Sequence, residues 1–172
     1  FNAVLLDDDH LFVQDSNRRP ALIDLKTLKV IYRLKTFSQA CFSPGRKHVA
    51  MSARGGVFLL EAMTGKNLGM LESPGTDLYF AMAFHPDGTR LGGITLTQAI
   101  VWDVATGKPV ARKQEVNLGH VINFRVGFGK DYDHLVNQGQ FVFSMKTGKI
   151  VQLIPGNNIH PAFTHGGREW YL

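Results

Sequence analysis

The groups in this chain that could carry chemistry come back at regular spacing, and the spacing decides how they are read. Thr-Gly-Lys occurs at 64–66, 106–108 and 147–149. A phosphate-binding loop needs Gly-x-x-x-x-Gly-Lys followed by Ser or Thr, on a strand-to-helix turn whose N–H groups cradle phosphate. Here Asn67, Pro109 and Ile150 follow, between two strand-like segments, so the tripeptide is read as structural. Gly127-Phe128-Gly129 fails the dinucleotide fingerprint for the same reason. Asp7-Asp8-Asp9 could face a cation, but the spacing does not fit a calcium loop and a solvated turn is the reading. The histidines are His10, His48, His85, His120, His134, His160 and His165. None forms a metal-binding pair at helix or strand spacing, and Cys41 is the only cysteine. No Gly-x-Ser-x-Gly elbow occurs. The expectation is a protein that is not an enzyme, with no catalytic residue, metal ligand or cofactor assigned.

The elements that hold these groups follow from the repeat itself. The threonines of Thr64, Thr106 and Thr147, with a relative at Thr27-Leu28-Lys29, are spaced by 37, 42 and 41 residues. Phe42, Phe84 and Phe128 are spaced by 42 and 44, and Phe163 opens another copy. Within one period, residues 79–84 alternate. Phe80, Met82 and Phe84 take one side; Tyr79, Ala81 and Ala83 take the other, which predicts a strand. His85-Pro86-Asp87-Gly88 is a tight turn, as is Ser43-Pro44-Gly45 one copy earlier. Further strands are expected over Leu91–Leu96, Ala99–Val104 and Pro109–Lys113. Four residues before each threonine stands a large apolar side chain: Ile23, Leu60, Trp102 or Phe143. The next position holds Asp24, Glu61, Asp103 or Ser144, whose oxygen can accept N–H bonds from the following turn. Gly65, Gly107 and Gly148 supply the left-handed conformation that turn requires. His10, His48 and His134 are placed at the start of each second strand.

Trp102-Asp103 with Thr106-Gly107-Lys108, and Phe84-His85-Pro86-Asp87-Gly88 upstream, resembles a WD repeat. Gly119-His120 resembles the pair that opens the next one. The resemblance is strongest over residues 78–110. The aspartate usual between second and third strands is replaced by Arg54-Gly55-Gly56, Thr97-Gln98 and Gln138-Gly139-Gln140. The family implies an all-β propeller of four-stranded antiparallel blades. About four are expected here, over 1–35, 36–77, 78–119 and 120–158, with a further blade begun at 159–172. A partial arc of a larger ring is preferred over a small closed ring or two paired half-rings.

The resemblance also implies a use. WD-repeat proteins bind other proteins or peptides on the face with the fourth-to-first and second-to-third strand loops. Carried over, that face offers Asn17, Arg18, Arg54, Asp77, Tyr79, Thr97, Gln98, His120, Gln138, Asn158 and His160. The expected function is therefore a non-catalytic interaction scaffold. A propeller enzyme or sensor with a small-molecule or metal site at the channel mouth is the alternative; a structural subunit of a larger assembly is another. Arg125 falls on a small-residue face, where a charge must be paired or reach the central channel. Open blade edges predict self-association.

Composition sets the outer bounds. Hydrophobic residues are 44% and charged residues 19% of 172, ordinary for one globular domain with its own core. Nineteen basic residues against fourteen acidic give a net charge of +5. They are scattered as Arg18-Arg19, Arg46-Lys47 and Arg112-Lys113, whereas a nucleic-acid binder gathers them in one stripe, so nucleic acid is not the expected partner. No segment reaches the roughly eighteen apolar residues of a membrane helix. The chain opens at Phe1 without methionine or signal pattern, as a piece of a longer protein would. A lone, reduced Cys41 favours the cytoplasm, the compartment being otherwise open.

Overall fold

A computed structural model describes residues 3–17, 19–35, 37, 39–73, 79, 81–95, 97–114, 126–128, 133–137, 141–153, 162–163 and 170–171. They form an all-β structure with four four-stranded antiparallel sheets. The first contains β1 (Ala3–Leu5), β2 (His10–Gln14), β3 (Pro20–Asp24) and β4 (Lys29–Arg33). The second contains β5 (Gln39–Phe42), β6 (His48–Ala53), β7 (Gly56–Glu61) and β8 (Asn67–Leu71). The third contains β9 (Ala81–Phe84), β10 (Arg90–Ile94), β11 (Gln98–Asp103) and β12 (Pro109–Gln114). The fourth contains β13 (Val126–Phe128), β14 (His134–Asn137), β15 (Phe141–Ser144) and β16 (Lys149–Leu153). Strands β17 (Ala162–Phe163) and β18 (Trp170–Tyr171) pair separately. Among the described residues the helical structure is one 3-10 turn, Pro44–Arg46. No helix among them is long and apolar enough to cross a membrane.

Each sheet is an up-and-down meander, and the strands run close to their expected spans. The second strand of the third sheet is seen to Ile94, with Thr95 N–H donating to the facing Gln98 O at 2.8 Å, and the expected end at Leu96 lies outside the described residues. The third ends at Asp103, one residue short of the expected Val104, whose N–H still donates to the facing Thr89 O at 2.9 Å. Tyr79 lies before β9 rather than in it.

The recurring residues occupy one register in all four sheets. Phe84 pairs with Leu91, which pairs with Trp102. The same row is Phe42–Val49–Leu60, Phe128–Leu135–Phe143 and, in the first sheet, Leu5–Leu11–Ile23. A bulge precedes the third member every time, between Leu22 and Ile23, Leu59 and Leu60, Val101 and Trp102, and Val142 and Phe143. The residues bulged out of the outer strands are Ile31, Leu68, Val110 and Val151, exposed to 46, 46, 52 and 53%. β17 and β18 keep the phase, with Phe163 opposite Trp170.

Three apolar seams join the four sheets. Residues of a strand alternate sides, so neighbours in sequence serve different seams. Ile100 and Trp102 pack toward the second sheet with Ala50, Val57, Leu59, Tyr79 and Leu91. Ala99 and Val101 pack toward the fourth with Ile94, Phe128, Leu135 and Phe143. That is why residues 99–102 form a continuous apolar run: both faces of the strand are covered. The third seam gathers Val49, Met51 and Leu60 with Leu6, Leu34 and Phe42, and Phe12 meets Phe42 edge-on at 5.2 Å. Strand β9 lies against both β5 and β13, so the first strands of the second, third and fourth sheets are neighbours. Polar ties cross the seams as well. Tyr32 Oη donates to Ala62 O at 2.5 Å, and Trp102 Nε1 donates to Glu72 O at 2.6 Å.

Candidate interaction surface

Side-chain oxygens hold described turns at both ends of the sheets. At the end carrying the first-to-second and third-to-fourth turns, side chains hold the backbone. Asp24 Oδ1 accepts the N–H groups of Lys26 and Thr27 at 2.8 and 2.9 Å. Asp103 Oδ1 accepts Thr106 N–H and Thr106 Oγ1–H, both at 2.8 Å. Ser144 Oγ accepts Thr147 N–H at 3.3 Å, while Glu61, one carbon longer, takes the Thr64 hydroxyl at 2.5 Å. The bonds from the Thr106 N–H and hydroxyl hold the Asp103 carboxyl below its ordinary value, and the Thr27 N–H does so first for Asp24. The glycine that follows has φ of 69° at Gly65, 69° at Gly107 and 64° at Gly148, the left-handed region. Leu28 occupies that position in the first sheet with φ 56°.

His10, His48 and His134 each start a second strand opposite Asp24, Glu61 and Ser144. His10 Nδ1 meets Asp7 Oδ1 at 2.7 Å. Among the described residues no group of three or more His, Cys, Asp or Glu side chains converges as a metal site would. His85 and Asp87 approach to 2.6 Å at the next turn, with His85 edge-on to Phe128 at 5.1 Å. Desolvation works to raise the Asp87 carboxyl. Bonds from the Thr89 hydroxyl and N–H, then from His85, outweigh it and hold the carboxyl at about 2.

The opposite end carries the second-to-third turns and the links between sheets, and the described second-to-third turns are short and polar. Asp15 organises the first such turn. It accepts N–H bonds from Asn17 and Arg19, both at 2.9 Å, and an Arg19 Nε bond at 2.9 Å. The Arg19 N–H bond is the leading cause that lowers the Asp15 carboxyl. Asn17 is exposed on this turn. Arg54 is exposed on the Arg54-Gly55 turn joining β6 to β7, where Gly55 has φ 105°. In the third sheet Thr95, 1% exposed, accepts N–H bonds from Thr97 at 3.1 Å and Gln98 at 3.0 Å. Thr97 is exposed and Gln98 half-buried, with Gln98 Oε1 turned inward.

Tyr79 lies deeper than a contact residue would. It is 1% exposed, packed edge-on to Trp102 at 5.1 Å, with its hydroxyl 2.8 Å from Ser73 Oγ and its N–H donating to Ser52 Oγ at 3.1 Å. Its ring belongs to the seam between the second and third sheets. Arg18, Asp77, His120, Gln138, Asn158 and His160 lie outside the described residues, as does Arg125. Asn17, Arg54 and Thr97 thus stand on second-to-third turns, and Gln98 opens β11 beside Thr97. Sequence reasoning missed Asp15, Ser52 and Thr95, which shape this end from below. A short polar side chain two to four residues before a turn's exposed residue was their only signal.

This end offers amide, hydroxyl and guanidinium donors on turns fixed by their own hydrogen bonds, which is chemistry for recognition. No family model matches the chain, and no curated protein matches it in sequence.

Proposed function

We propose that the four sheets are consecutive blades of a β-propeller of the WD-repeat kind, and that the chain is a non-catalytic scaffold for other proteins or peptides. One observation carries the reading: the same cross-strand row and bulge stand in all four sheets, a Thr-Gly turn stands in three of them with Thr27-Leu28 in its place in the first, and the first strands of the second, third and fourth sheets are neighbours. Blades of this kind cannot bury their faces singly, so they stack. First strands then line an axis and bulged fourth strands form the rim.

Partner binding falls to the end with Asn17, Arg54, Thr97 and Gln98. Its donors project from turns that are already ordered, so contact costs little conformational entropy. Arg54 is the anchor, since a guanidinium combines area with directed bonds. The test uses two charge-altered chains of equal fold: Arg54→Glu with Thr97→Lys, and Lys66→Glu with Lys108→Glu at the opposite end. Binding proteins captured by wild type are lost by the first variant and kept by the second. Equal capture by both, or loss by both, removes this assignment.

A further inference from the structure

Carboxylates and cations divide unequally between the two ends of the sheets. Of the ten described aspartates and glutamates, Asp15 and Glu72 are the two at the end with Arg54. Asp15 is already occupied, by the Arg19 guanidinium at 2.9 Å and by the N–H groups of its own turn. The other ion pairs among the described residues, His10–Asp7, Lys26–Asp9 and His85–Asp87, lie at the opposite end. Arg33, Lys35, Arg54 and Arg112 are exposed, and among the described residues none of them is in an ion pair.

Register brings these four cations to one end. Arg33 faces Ala21, beside the Pro20 that leaves the Asp15–Arg19 turn, and Leu34 N–H donates to Pro20 O at 2.9 Å. Lys35 then enters the link to β5, whose first residue, Gln39, faces Ser52, two residues before Arg54. Arg112 holds in the third sheet the place of Arg33 in the first. It faces Ile100, two before Trp102, as Arg33 faces Ala21, two before Ile23. A preceding sheet leaves this place open. Met70 occupies it in the second sheet and Arg112 in the third; both sheets have a preceding neighbour, and both side chains are exposed, Met70 to 56%. Glu72, which stands where Lys35 does one sheet earlier, is exposed too.

We propose that the partner of this end is an acidic peptide, a segment rich in aspartate and glutamate that pairs with Arg33, Lys35, Arg54 and Arg112; this choice of partner rests on the scaffold reading above. A guanidinium takes a carboxylate through two parallel N–H bonds, so three arginines supply direction as well as charge. The carboxylates gathered at the opposite end repel such a segment and steer it to this one. Phosphates carry the same sign, but a nucleic-acid single strand also needs aromatic faces on which its bases stack. No aromatic side chain is exposed among the described residues, and Tyr79 lies inside a seam. Four cations also fall short of the roughly six to ten phosphate contacts of a duplex binder.

Fluorescence anisotropy of a labelled glutamate decamer, titrated with the whole chain at low salt, tests this. The decamer binds, and its affinity falls as salt is raised. Arg33→Glu with Arg54→Glu weakens binding about tenfold. Lys66→Glu with Lys108→Glu changes the net charge by the same amount at the opposite end and weakens binding less than about twofold. Should the first pair disturb the strands, as circular dichroism would show, Lys35→Glu with Arg112→Glu carries the same expectation. A decamer that does not bind, or equal weakening by the variants of the two ends, overturns the acidic partner. So does a deoxythymidine decamer that binds more tightly than the glutamate one, since the ligand is then a nucleic acid. Proteins captured by wild type and lost by Arg54→Glu with Thr97→Lys, with no binding of the glutamate decamer, overturn the acidic partner and leave the scaffold reading standing. Capture that ignores that variant removes the scaffold reading, and this partner with it.

Discussion

Gly92→Ala adds one methyl group where two sheets come closest. Gly92 faces the fourth sheet from β10, and a Cβ there would stand 2.5 Å from Leu135 Cδ1, 3.3 Å from Leu135 Cδ2 and 3.4 Å from Phe128 Cζ. Leu135 is at 0% exposure and Phe128 at 3%, so neither has room to retreat. Overfilling a packed core costs about 1–3 kcal/mol. Gly92 has no left-handed φ, so alanine brings no backbone strain and removes about 0.4–1 kcal/mol of unfolded-state entropy. The net expectation is a loss of about 1–2 kcal/mol, which at this chain length lowers Tm by about 2–4 °C per kcal/mol. Leu135→Ala alone costs about 2–5 kcal/mol, yet it removes the atoms that clash. The double variant is therefore less damaged than the two losses added, by about 1–2 kcal/mol. Urea unfolding followed by circular dichroism measures all four proteins. A Gly92→Ala chain as stable as wild type, or strictly additive losses, refutes the packing of β10 on β14 and with it the seam between the third and fourth sheets.

Leu28→Gly is expected to stabilise the chain by about 1 kcal/mol, because leucine at φ 56° and 78% exposure is strained and buries little; a lower urea midpoint would contradict this. Tyr32→Phe removes the bond to Ala62 O and is expected to cost about 1 kcal/mol. The wild-type phenol, pushed up to about 12 by burial, titrates in the folded protein well above an ordinary tyrosine when followed by ultraviolet absorbance. Asp87 is a depressed carboxyl. Its contribution to stability is full above the ordinary value of 3.8 and is lost as pH falls toward about 2. Asp87→Asn should accordingly narrow the gap to wild type as the pH drops through that window; a gap that stays constant removes the role given to Thr89 and His85.

Much of the fold was legible because the chain repeats a whole supersecondary unit, and repetition exposes positions that one copy hides. Phe42, Phe84 and Phe128 stand at one point of the ladder, and Ile23, Leu60, Trp102 and Phe143 at another, as their spacing implied. The acidic slot and the turn glycine were also readable, since a single oxygen and a single φ are local requirements. Tyr79 was not. Strand alternation placed it on a small-residue face near a loop, and nothing local announced that Ser52 and Ser73 would draw it inward. The bulges were equally hidden, for the aliphatic residues they push outward, Ile31, Leu68, Val110 and Val151, read in sequence like any other apolar residue of a strand. Glu61 shows a subtler limit: it holds the acidic slot, but the extra methylene directs its carboxylate to the Thr64 hydroxyl instead of the turn's N–H groups.

Spin labels at the bulged positions report the arrangement of the sheets most directly. Ile31, Leu68, Val110 and Val151 are equivalent in register and each about half exposed, so a label at any of them leaves the seams untouched. Replacing Cys41, a thiol that burial pushes up and that lies against a seam, with alanine removes the one competing site. Pulsed electron resonance on the pairs 31–68, 68–110, 110–151 and 31–151 then measures the rim. Blades around an axis give three equal neighbouring distances and a 31–151 distance clearly shorter than their sum, all fitting chords of one circle. A 31–151 distance equal to that sum would mean a straight stack of sheets and would contradict the propeller.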